Sequence, residues 1–101
     1  MDEILNFIDK FKFIHKRELE EVFLYGNCYY FAIILKHRFP RVQIYYSYSV
    51  DHFVVRYKNH LYDISGDVTD KYPLNTLTRW SSLSKDEREF IQRDDICFQS
   101  R

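Results

Sequence analysis

Cys28, His52 and Asp63, met in that order along the chain, are the residues whose types could carry covalent chemistry. A thiol reacts as its thiolate, and a helix start lowers thiol pKa through its aligned amide dipoles. Cys28 stands in Gly26-Asn27-Cys28-Tyr29-Tyr30-Phe31-Ala32, where a short loop leads into an apolar segment, so it occupies such a start. The glycine before it lets another backbone come close. Cys28 would act as nucleophile, His52 as base and later acid, and Asp63 would orient the imidazole ring. The backbone N–H of Cys28 would be one oxyanion donor.

The elements that must position these groups are a helix and a hairpin. His52-Phe53-Val54-Val55-Arg56-Tyr57 and Leu61-Tyr62-Asp63-Ile64 read as strands, joined through a tight turn at Lys58-Asn59 in which Asn takes a positive φ. A two-residue turn pairs Tyr57 with His60 and sets Val54 opposite Asp63. His52, Val54 and Asp63 then share one face, with His52 the diagonal neighbour of Asp63. A one-residue slip would send Asp63 to the other face. If the helix that starts at Cys28 packs on that same face, the thiol meets the imidazole.

The remaining segments build the frame. Ile4, Leu5, Ile8 and Phe11 recur at helical spacing behind Asp2 and Glu3, and Leu19, Val22 and Phe23 share a face of a second helix. The segment Cys28 to Arg38 is apolar almost all round, which predicts a buried central helix ended by Phe39-Pro40. Val42 to Tyr48 is β-branched and aromatic, a strand. Residues 67–82 carry no clear period. Ser84 and Glu87 form a capping box for a helix through about Arg93, and Cys97-Phe98 closes the chain as a short strand or tail. Helices followed by an antiparallel sheet and a short helix make an α+β arrangement in a single domain, 1–101.

The segment 26–66 resembles the papain-like cysteine-enzyme superfamily, in particular its transglutaminase-like and NlpC/P60-like branches. Gly26-x-Cys28-x-x-Phe31-Ala32 is similar to the start of their core helix, His52-Phe53-Val54-Val55-Arg56 to their histidine strand, and Tyr62-Asp63 to the strand that ends in their orienting aspartate. The resemblance implies a papain-like fold and a cysteine hydrolase or acyltransferase. Such an enzyme acts on amide, isopeptide or acyl donors through a thioester, with Cys28, His52 and Asp63 as triad and no cofactor. Small single-domain versions of this pattern are expected in phages and mobile elements.

Composition bounds the alternatives. With 46% apolar residues, nine Tyr and nine Phe, the chain should build a real core. Fifteen basic and fifteen acidic residues cancel, so no nucleic-acid footprint is expected. The densest basic patch, Lys36-His37-Arg38 with Arg41, complements a helix C-terminus or binds phosphate. No segment has the length and apolarity of a membrane span, and the start lacks a signal peptide's pattern. A soluble, cytoplasmic protein with reduced thiols is expected, which disfavours a Cys28–Cys97 disulfide. Cys28 could also be core filler, and His52 a satisfied strand histidine. Asp63 could cap the turn at Ser65-Gly66. A metal site lacks the paired spacing it needs. Tyr45, Tyr46, Tyr48 and Tyr57 line a half-buried sheet face or a recognition surface, and Trp80 covers the sheet edge or rims a cleft. The rival to an enzyme acting on a protein or peptide substrate is a binding or inhibitor protein on the same fold, docking on a host protein.

Overall fold

Asp2 opens the first helix. Its Oδ1 accepts from the amides of Ile4 and Leu5 at 3.0 and 3.1 Å, satisfying two donors that a helix start leaves unpaired. Helix α1 spans Glu3–Lys12 and buries Ile4 and Ile8, part of the stripe its spacing predicts. The structure is a computed structural model that describes residues 2–13, 23 and 28–94. The expected second helix lies outside the described residues except for Phe23, whose ring centroid is 6.0 Å from that of Phe11 and 5.3 Å from that of Phe31.

Helix α2 runs Cys28–Arg38, the span its sequence predicts. At its exit Lys36 Nζ donates to the carbonyls of Pro40 and Val42, at 2.8 Å each, so this cation fastens the chain leaving the negative end of the helix. The helix is not buried all round. Cys28, Phe31, Ala32 and Leu35 face the core, whereas Tyr30 and Ile33 are 58% and 38% exposed. The outer side of this helix carries rings and aliphatic groups, so the amphipathic pattern that polar residues would have marked is missing from the sequence.

Among the described residues five antiparallel strands form one sheet: β1 Gln43–Ser47, β2 His52–Tyr57, β3 His60–Asp63, β4 Gly66–Asp67 and β5 Thr78–Arg79, in the order β4-β3-β2-β1-β5. The first three lie where the sequence places them to within a residue, and the two-residue strands carry no periodic signal. Tyr57 pairs with His60, as the two-residue turn requires. The positive φ of that turn falls on Lys58, at 56°, and not on Asn59. Gly66 takes φ +117°, a conformation L side chains rarely adopt, and so lets the chain fold back from β3 into β4.

Both faces of the sheet are covered. On one, Ile44, Tyr46, Phe53, Val55, Tyr62 and Ile64 join the apolar residues of α1 and α2. On the other, Tyr45, Val54 and Leu61 pack with Val68, and Tyr72 and Leu77 lie against them. Residues 68–77, which include two single-turn 3-10 helices, therefore cross this second face from β4 at one edge to β5 at the other. Trp80 then turns over onto the helix face, its ring 4.9 Å from Phe53 and 5.6 Å from Tyr29. Helix α3, Lys85–Asp94, starts with the expected capping box: Glu87 N donates to Ser84 Oγ at 3.1 Å and Ser84 N to Glu87 Oε1 at 3.2 Å. Cys97 and Phe98 lie outside the described residues. Among the described residues no helix is long and apolar enough to cross a membrane.

Candidate functional site

His52 and Asp63 meet. His52 Nε2 lies 2.9 Å from Asp63 Oδ2, and both side chains are 5% exposed. The ladder that produces this contact runs Tyr57↔His60, Arg56↔Leu61 and Val55↔Tyr62, so its continuation sets Val54 opposite Asp63 and makes His52 the diagonal neighbour. The tautomer of the ring decides which of the two atoms donates. Asp63 also caps the turn that follows it, since its Oδ1 accepts from Ser65 N at 2.7 Å. The two roles open to Asp63 in the sequence, ring partner and turn cap, are both filled, one by each oxygen.

Two further residues complete the surroundings. Ser47, 1% exposed, pairs directly with His52 across β1 and β2 and so shares its face. Its Oγ is engaged within the β1–β2 turn, 3.2 Å from Ser49 Oγ and accepting from Val50 N at 3.4 Å. Tyr72 stacks on His52, with ring centroids 5.9 Å apart and planes 24° from parallel. Ser47 could have been found by carrying the β2 alternation across a second tight turn. Tyr72 sits in the aperiodic 68–77 segment, and no local pattern announces it.

Cys28 lies elsewhere. It belongs to the helix-side core, with Phe53 and Val55, the two residues of β2 that alternate with His52 and Val54. Strand alternation therefore puts the sheet between Cys28 and the His52–Asp63 pair. The condition under which thiol and imidazole would meet, a shared face, is not satisfied. Cys28 is moreover disulfide-bonded and no described cysteine is free, where reduced thiols were expected. Separation along a chain carries no information on proximity in space, so spacing could not settle this bond. The sequence's other cysteine, Cys97, lies outside the described residues.

A buried imidazole–carboxylate pair under an aromatic lid fixes strand register and holds its ring in one orientation. At this burial neither group faces solvent. Among the described residues no group of three or more His, Cys, Asp and Glu is placed to hold a metal ion.

The phenols around this layer report on it. Burial, followed by the charge of Asp63, pushes the Tyr72 phenol above its ordinary value of 10.0. Burial, then the hydrogen bond to Asp2 and the Asp2 charge, pushes Tyr62 up on the opposite face. Both hold their protons more tightly when folded than when unfolded. Their contribution to stability is thus fully present below the unfolded value and is lost as pH rises through the folded values. Stability measured by urea unfolding is expected to fall from about pH 10 upward, and Tyr72→Phe to remove part of that fall. An equally steep fall in Tyr72→Phe would contradict the assignment.

A family model described as Phage YunG-like protein matches residues 7–99. No curated protein and no solved structure matches the chain.

Proposed function

The chain belongs to the Phage YunG-like protein family, and on that premise we propose that it is a non-catalytic binding protein that docks on a protein or peptide partner. The observation that carries this reading is the separation of nucleophile from base: Cys28 is disulfide-bonded in the helix-side core, and His52 projects from the other face of the sheet. A helix that starts at Cys28 and packs on an antiparallel sheet supports a papain-like framework, with His52 and Asp63 retained for packing. The docking surface includes the outer side of α2, where Tyr30 and Ile33 stand nearly one turn apart and exposed. Tyrosine is enriched at interfaces because it presents large amphipathic area at low entropic cost.

The second reading is the cysteine hydrolase or acyltransferase. Two observations favour it: the His52–Asp63 contact, in the register a triad needs, and Cys28 at a helix start. It requires a reduced Cys28 and a route from its sulfur to the ring.

One experiment separates the two. The rate of Cys28 alkylation by iodoacetamide is measured against pH in Cys97→Ser protein, with His52 intact and as His52→Gln. A binding protein gives a profile indifferent to His52. A thiol pKa well below about 8.5 that rises when the imidazole is removed would overturn the binding reading.

A further inference from the structure

A cleft on the described part of the molecule has about 640 Å³ of space, within the range of small-ligand sites, and lies away from both Cys28 and His52. Three elements wall it. The start of α1 contributes Asp2, Glu3 and Ile4, the exit of α2 contributes Arg38 to Arg41, and the β2–β3 hairpin contributes Tyr57, Lys58, His60 and Tyr62.

The charges on these walls are distributed unequally between internal work and solvent. Asp2 is committed: Oδ1 takes two amides and Oδ2 accepts from the Tyr62 hydroxyl at 2.6 Å. His60 is committed to Asp67, at 2.9 Å. The cations are not. Among the described residues Arg38, Arg41 and Lys58 make no ion pair. Arg38 lies 4.7 Å above the Phe39 ring and Lys58 Nζ 5.3 Å above that of Tyr57, so each cation rests on an aromatic surface with its hydrogen-bond donors unclaimed by a carboxylate. Glu3, on the acidic wall, is exposed and accepts no hydrogen bond within the described structure.

We propose that this cleft binds an aromatic phosphate of the nucleoside monophosphate class. Its phosphate would lie among Arg38, Arg41 and Lys58, its flat ring against Tyr57 and Phe39, and its amino group toward Glu3. The planar fork of an arginine matches two oxygens of one phosphate, and two such forks with an ammonium supply more donors than a carboxylate needs. The acidic wall repels a second anion, so the occupant carries negative charge at one end and a donor at the other. This site is independent of the docking surface on α2 and of whether Cys28 is reactive.

The test follows amide chemical shifts of the full chain during titration with adenosine monophosphate, phenyl phosphate, adenosine or inorganic phosphate. Adenosine monophosphate is expected to give saturable shifts confined to residues lining the cleft, with adenosine and inorganic phosphate each about tenfold weaker. Arg41→Gln and Lys58→Gln, both exposed and read separately, should each weaken the nucleotide about tenfold while leaving the rest of the spectrum in place. Glu3→Gln should weaken adenosine monophosphate and leave phenyl phosphate unchanged. Phenyl phosphate binding as tightly as adenosine monophosphate would overturn the amino contact with Glu3 and with it the nucleotide class. The absence of saturable shifts at millimolar probe, inorganic phosphate binding as tightly as the nucleotide, or unchanged affinity in both cation variants would overturn the proposal.

Discussion

Replacing Asp63 with alanine is expected to cost about 3 kcal/mol of folding stability, the upper end of the range for leaving a buried hydrogen-bonding group without its partner. The substitution unpairs two groups at once: the His52 ring loses its partner on Nε2, and the Ser65 amide loses the oxygen that accepts from it. The ring cannot turn to solvent, since the pair is buried under Tyr72, whereas Ser65 is exposed and water can take its amide. His52→Ala should cost at least as much, because it leaves the buried Asp63 carboxyl without its ring partner and removes the ring on which Tyr72 stacks. The double variant should lose less than the sum of the two, since residues in contact are coupled. Urea unfolding at neutral pH of the two single variants and the double variant measures this. Simple addition, or a loss under about 1 kcal/mol for Asp63→Ala, would mean that the contact contributes nothing of note.

Phe31→Ala is expected to be comparably severe, about 3–5 kcal/mol, for an unrelated reason. Phe31 is 2% exposed, on the inner side of α2, and its ring lies 5.5 Å from Phe11 and 5.3 Å from Phe23. It therefore ties α2 to α1 as well as filling the layer above the sheet. Truncation removes the transfer free energy of a large ring and leaves a cavity that two helices anchored elsewhere cannot close. Phe31→Leu should recover a large part of the loss. Equal losses for Ala and Leu would show that ring contacts, and not filled volume, set the stability here.

Hairpin register was legible because two independent rules agreed. The two-residue turn at Lys58-Asn59 allowed one pairing, and period-2 alternation then fixed which side chains share a face. That is why the His52–Asp63 contact could be read from spacing alone. The face chosen by α2 was marked more weakly. His52, Val54 and Arg56 alternate with Phe53, Val55 and Tyr57, and the second set is the more apolar, which favours it for a helix. All four residues from His52 to Val55 are nevertheless buried, so the polar residue at the start of the strand did not mark an open face. The cover over His52 was hidden for a different reason. Residues 68–77 are held by single turns and tertiary contacts, and neither leaves a repeat in the sequence. The bonding of Cys28 is a fact about proximity, which spacing does not encode.

The two-residue outer strands set how this molecule can meet others. A sheet edge is ordinarily a row of unpaired amides and carbonyls that invites a further strand, from a partner or from a second unfolding copy. Among the described residues β4 and β5 are the two ends of the sheet, and each offers a visitor only two residues of extended backbone, with Asp67 on one and Arg79 on the other. The longer strands are enclosed between them. Strand addition, which draws its affinity from main-chain pairing, is thereby denied a template. The same brevity protects the aromatic segment Tyr45-Tyr46 from edge-to-edge stacking, since β1 is paired on both sides. Recognition is left to side chains standing on helices and turns.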